Sequence, residues 1–331
     1  MKFGIFSVVD HYPNELGRTT ARFYGELLEQ AQAADELGFE SFWVAEHHFH
    51  EYGAIPRPPI WMAAAAARTK RIRLGSAVVV LPFDNPLRSA EDYAMVDLLS
   101  GGRLNLGVGS GYLKHEYEGF GLPIDEKHAR FDEALDILLR AWTGERFSYD
   151  GKFHRVTDVQ LNVLPVQKPR PPVWIAILSN PSAAIAGAKR LPIMTIPYAT
   201  TEQMSELAET VAAFRTAFVG AGGRLDDATV PFGLHTYCAD SVEEARRDAK
   251  DAMDRYVRTR LYAKQRPYER LVEKSLIAFG GAEDVIRVAR LYERAGLTDF
   301  LAITNFGGLA HGRVLRSMEL MARHVLPAFH R

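Results

Sequence analysis

Three histidines and two carboxylates fall within six consecutive residues of this chain: Glu46, His47, His48, His50 and Glu51, interrupted only by Phe49. Imidazole exchanges protons more readily near neutral pH than any other side chain, so the cluster marks a candidate site of acid–base chemistry. Three readings compete. Metal binding is disfavoured, because neighbours on a strand point to opposite faces and no HExxH or comparable pair occurs elsewhere in the chain. A packed histidine beside solvated ones is the bland reading. The third is one catalytic histidine oriented by a nearby carboxylate. A second glycine-rich run, GVGSG, places Gly107, Gly109 and Gly111 in a GxGxG pattern. It ends in Tyr112 with no helix at once behind it, which makes a dinucleotide fingerprint a weak reading.

These residues have to be positioned by something, and the surrounding pattern says what. Short apolar runs alternate with amphipathic stretches from end to end: FGIFSVV, ESFWVA, IRLGSAVVVL, LNLGVGSG, PVWIAIL, IMTIP, TVPFGLHTYCA and DFLAIT read as strands, with helix-period segments between them. Eight such units in 331 residues predict one α/β domain over residues 1–331. Its expected form is a (β/α)8 TIM barrel with insertions after strands four and seven, a doubly wound open sheet being the alternative. Residues 146–172 look like a hairpin and a proline-rich connector. In a barrel, chemistry gathers at the C-terminal strand ends. AEHHF closes the second strand and GVGSG the fourth, so both fall there, and the position favours a catalytic role for one histidine of the pair.

Bulk properties narrow the partners. A formal net charge of −1 offers no basic surplus for nucleic acid. The single cysteine, Cys238, forbids an intrachain disulfide and fits a cytoplasmic setting. No apolar run suggests a membrane span or a signal peptide.

The stretch EHHFHEYG resembles the corresponding stretch of the bacterial luciferase α subunit and its flavin-dependent monooxygenase relatives. IRLGSAVVVLPFDNPLRSAEDYAMVDLLSGGRLNLGVGSGY, FGGAEDVIRVARLYERAGLTDFLA and GGLAHGRVLRSMELMARHVLP are similar to further landmarks of that family, in the same order and across essentially the whole chain. The resemblance implies that His47 is the catalytic histidine beside the flavin ring, with Glu46 and His48 orienting the loop or lining the pocket. It implies a non-proline cis peptide at Ala77-Val78 under the ring, with Ser76 and Ala77 leaving room for it. Gly109 would let the flavin approach the backbone, in place of the family's reactive cysteine. Ser110 stands where luciferase carries a phosphate-binding arginine. A phosphate cradle is expected at Ser179, Asn180 and Ser182, where LSNPS opens a helix; a plain N-cap is the other reading of that run. Trp174 either walls the pocket or packs in the core.

The implied activity is that of a monooxygenase. It would use FMN, delivered reduced by a separate flavin reductase, and dioxygen to oxidise a small organic substrate. A deazaflavin-dependent hydride-transfer enzyme and a non-catalytic flavin-binding protein remain the alternatives, and no metal is expected. Between Tyr256 and Ala282, six basic residues (Arg258, Arg260, Lys264, Arg266, Arg270, Lys274) stand against Glu269 and Glu273. This stretch reads either as a lid attracting the anionic cofactor or as a solvated basic helix. A homodimer is expected, with the helix carrying Arg88, Glu91, Asp92 and Asp97 contributing to its interface.

Overall fold

The computed structural model describes residues 1–51, 53–260 and 265–329. Eleven strands are present among the described residues: β1 (Lys2–Ser7), β2 (Ser41–Val44), β3 (Arg73–Val80), β4 (Leu104–Gly109), β5 (Phe147–Asp150), β6 (Arg155–Val159), β7 (Val173–Ala176), β8 (Ile193–Met194), β9 (Pro231–Cys238), β10 (Ala278–Gly280) and β11 (Asp299–Asn305). Nine of them form one curled parallel sheet in the order β10-β9-β11-β1-β2-β3-β4-β7-β8, and β5 and β6 form a separate antiparallel hairpin. A parallel bridge between Thr195 and Phe232 links the end of β8 back to β9. That bridge uses the lower part of the β9 edge, whereas β10 pairs higher up, at Thr236–Cys238.

The helices between the strands begin and end where the local chemistry demands. Thr19 accepts from the Arg22 amide at the head of helix Thr20–Glu36. Asn85 accepts from Leu87 N–H before Pro86–Ser100, which stops at Gly101 in the left-handed region. Ser241 accepts from Glu244 N–H before Val242–Arg258. Each cap satisfies a donor that the first helical turn leaves orphaned.

The strands of the nine-stranded sheet are largely buried on both faces, as parallel strands under a helical coat must be, whereas the β5–β6 hairpin is largely exposed. Outward-facing Phe232 stacks on Tyr292 of helix Ala282–Arg294, with ring centroids 4.6 Å apart. Inside the curl, Trp43 crosses Gly75 so closely that a Cβ there would lie 2.2 Å from its ring. Trp174 meets Trp43 edge-on at 5.5 Å and donates its indole N–H to Thr229. These two tryptophans plug the lower part of the curl. Trp174 therefore packs, half-buried, against the core, and the open space lies above it, toward the C-terminal strand ends.

Candidate active site

That space is a cavity of about 440 Å³. Its lining comes from the tips of β1 (Phe6, Val8), β2 (Ala45, Glu46, His47), β3 (Ala77, Val78, Val80), β4 (Gly109 to Tyr112) and β7 (Ala176 to Ser179), together with the buried rings of Tyr198 and Tyr256.

His47 is buried, and its Nδ1 stands 3.1 Å from Oε1 of Glu116. The same oxygen accepts the His48 amide at 2.9 Å. A carboxylate can only accept, so the proton of the pair sits on Nδ1, and the basic lone pair of the ring is on Nε2. Burial holds the His47 pKa below the ordinary histidine value; Glu116 opposes that shift, and Arg260 adds to it. The ring is therefore neutral at neutral pH, which is the form that can take a proton. Glu46 is also buried, which raises its pKa, and its Oε1 pairs with Nε2 of His48 at 3.1 Å. The two neighbouring histidines thus answer to two different carboxylates. Among the described residues no group of three or more His, Cys, Asp or Glu is arranged to hold a metal.

The β3–β4 wall of the cavity is lined by short side chains. The Ala77-Val78 peptide is cis, and the β3–β4 register shifts between Ser76 and Val79. Ala77 and Val78 face the cavity beside Gly109, where a Cβ would meet Val78 Cγ2 at 2.7 Å. At the rim, Ser179 Oγ and Ser182 Oγ lie 2.9 Å apart at the N-terminus of helix Asn180–Ala188. Lys127, His128 and Lys189 line the same end, with Lys189 held 2.8 Å from Asp132. This is a small-molecule cavity with a wall of short side chains, a polar cationic end and an imidazole.

Comparison with known proteins agrees with that geometry. The family model described as luciferase-like monooxygenase matches residues 1–278. The chain belongs to the luciferase-like monooxygenase family. The chain spans about half the length of the first curated relatives it matches, two uncharacterised proteins of Sinorhizobium fredii at 43% and 42% identity that are covered over 45% and 50% of their lengths. The oxygenase component of flavin-dependent trigonelline monooxygenase from Acinetobacter baylyi is 28% identical, over 99% of this chain and 96% of that protein. The crystal structure of monooxygenase RslO1 from Streptomyces bottropensis superposes with a TM-score of 0.93 at 31% identity, covering 100% of both chains. The oxygenating constituent of 3,6-diketocamphane monooxygenase from Pseudomonas putida, in complex with FMN, superposes with a TM-score of 0.86 at 21% identity, covering 99% of this chain and 98% of that one. F420-dependent enzymes also stand among the relatives.

Within this family member, the structure brings together His47, Glu46, Ala77, Val78, Gly109, Ser110, Ser179 and Ser182 around one cavity. Two expected residues sit elsewhere. Ser76 faces away, fully buried, its hydroxyl donating to Gly107 O at 3.0 Å across the β3–β4 ladder. The Asn180 side chain bonds to Thr210 on the neighbouring helix Met204–Gly220. Glu116 escaped the sequence reading because it lies 69 residues from its histidine, on a six-residue helix (Lys114–Gly119) with no apolar periodicity. The basic segment divides. Arg258 is exposed and pairs with Glu15 at 3.3 Å, whereas Arg260 is completely buried 3.9 Å from Asp10. Arg266 pairs with Glu202 and Arg270 with Glu273. Lys264 lies outside the described residues.

Proposed function

We propose that this chain is the oxygenase of a two-component system that uses reduced FMN and dioxygen to oxidise a small organic substrate. The observation that carries the reading is a neutral imidazole, His47, clamped by Glu116 at the wall of a cavity of about 440 Å³. The residues present fit the cofactor. Ala77, Val78 and Gly109 leave room for a tricyclic ring, and Ser179, Ser182 and Lys127 offer donors and charge for a phosphate where Ser110 supplies no cation. Bound FMN in its reduced form supplies the electrons that activate dioxygen. The chain's share is to hold the ring against β3 and β4, to exclude water with the buried aromatic lining of Tyr198 and Tyr256, and to move a proton at His47 Nε2.

A separate flavin reductase, a cytoplasmic setting and a homodimer belong to the same reading. Among the described residues no helix is long and apolar enough to cross a membrane. The exposed side chains of Ile60, Met95 and Leu99, on two helices packed against each other, offer a second copy an apolar face. The barrel is read as an eight-strand ring with insertions after strands four and seven. The His47→Ala variant tests the activity: oxygen-coupled turnover should fall on the order of 100-fold or more with near-normal flavin binding. Wild-type turnover in that variant would refute the assignment.

A further inference from the structure

Two tyrosines reach the cavity from separate parts of the chain. Tyr198 sits on the one-turn helix Pro197–Thr200, and Tyr256 near the end of helix Val242–Arg258. Both are buried, both line the cavity, and their rings meet edge to face with centroids 5.9 Å apart. A single helical turn does not hold its own shape, because several residues are fixed for very few hydrogen bonds. Thr201 N–H closes this one on Pro197 O at 2.9 Å. Arg266 adds to it from another part of the chain. Its guanidinium donates to Tyr198 O at 2.7 Å and to Thr201 O at 3.5 Å, and pairs with Glu202 at 2.8 Å. Carbonyls at a helix end lack intrahelical donors, and a planar guanidinium serves several acceptors at once. The residue before it acts on the other tyrosine: Gln265 Nε2 donates to Val257 O at 2.9 Å, in the turn that carries Tyr256. Two consecutive side chains thus grip the backbone beside two cavity rings.

We propose that Gln265 and Arg266 are a positioning pair: they fix the backbone that carries Tyr198 and Tyr256, and through it the shape of the tyrosine end of the cavity and the exclusion of water there. Both act through the rings, since the cavity is lined by the tyrosines and not by the pair. The inference rests on reading this cavity as the flavin and substrate site. The division of labour is unequal. Arg266 makes three contacts with the segment of Tyr198. Gln265 makes one beside Tyr256, whose ring is also braced by the Arg260 guanidinium 3.8 Å from its centroid. Arg266 therefore governs Tyr198, and Gln265 governs Tyr256. A lysine in place of Arg266 keeps the charge but loses the fork that reaches several acceptors.

Fluorine NMR of the full chain labelled with 3-fluorotyrosine tests it, the two resonances being assigned with Tyr198→Phe and Tyr256→Phe. In the wild type each should be a narrow line displaced from that of free fluorotyrosine, with or without FMN. Arg266→Met should broaden the Tyr198 line or move it toward the free value and disturb Tyr256 less; Gln265→Ala should do the opposite. Arg266→Lys should restore part of the Tyr198 displacement. With FMN bound, Arg266→Met should raise acrylamide quenching of the flavin fluorescence about threefold, while FMN affinity and the urea midpoint stay close to wild type. Both tyrosine lines moving together with a fallen urea midpoint, and no rescue by lysine, would mean general structural damage and overturn the proposal. Wild-type lines that are already broad and at the free value would overturn it even if no variant folds. The tyrosine pattern in a protein that binds no FMN would keep the positioning pair and remove the proposed oxygenase activity. Flavin binding and turnover with tyrosine lines indifferent to both substitutions would do the reverse.

Discussion

Exchanging Glu116 for glutamine preserves size but replaces an acceptor-only group with one that can also donate, so His47 loses its fixed tautomer. Steady-state kinetics should show kcat/KM falling roughly 10-fold to 100-fold, with flavin affinity within about threefold of wild type. An unchanged kcat/KM would mean that Glu116 does not orient the histidine. Ser76 makes the opposite case. Its hydroxyl ties β3 to Gly107, both giving and receiving a hydrogen bond. Ser76→Ala should therefore cost about 1 kcal/mol of stability in a urea titration and leave flavin affinity unmoved. At this scale the sequence is legible where a residue's place in the cavity wall and its local pattern coincide. His47 announces itself because its strand, its neighbours and its resemblance all converge on one place. Glu116 does not, since its role comes from a tertiary contact that no spacing rule encodes.

The strands divide labour along their length, and their glycines record the division. Gly107 sits where a Cβ would strike the Ser76 carbonyl oxygen at 2.3 Å, an atom of the backbone that cannot step aside. Two residues further along β4, at Gly109, the obstructing atom is a side-chain methyl of Val78 rather than backbone. Gly107→Ala should thus lower the thermal midpoint, at a cost of about 1–3 kcal/mol. Gly109→Ala should fold normally and bind flavin more weakly, as fluorescence titration would reveal. The reverse pattern would mean that β4 is shaped for packing alone. Nearly every strand of the curled sheet is readable from its apolar run and flanking turns. The exception is β10, three residues within the basic stretch, which pairs with β9 above the Thr195–Phe232 bridge. So short a strand carries no periodicity, and its pairing is set by the sheet edge left open above β8.

At the scale of the molecule, closing the sheet around a lower plug of tryptophans leaves an upper chamber. The chamber's buried histidines make stability depend on pH. Burial lowers the pKa of His47 and drives that of His235 down to about 3. Both are neutral in the folded chain but take up protons in the unfolded chain once pH falls through 6.5, so stability is full above that value and is lost on acidification. For His235 the window runs from 6.5 to about 3, with a slope approaching about 1.4 kcal/mol per pH unit within it. Urea titrations at stepped pH should show His235→Phe losing stability less steeply on acidification than wild type, and parallel curves would contradict the burial argument. The chamber as a whole is best tested by anaerobic titration with reduced FMN, alongside reduced deazaflavin, followed by admission of air. Saturable binding of reduced FMN to the wild-type protein, with oxygen consumed once air enters, is the predicted result. Failure to bind FMN in either redox state, or tight binding of the deazaflavin with no response to oxygen, would contradict it.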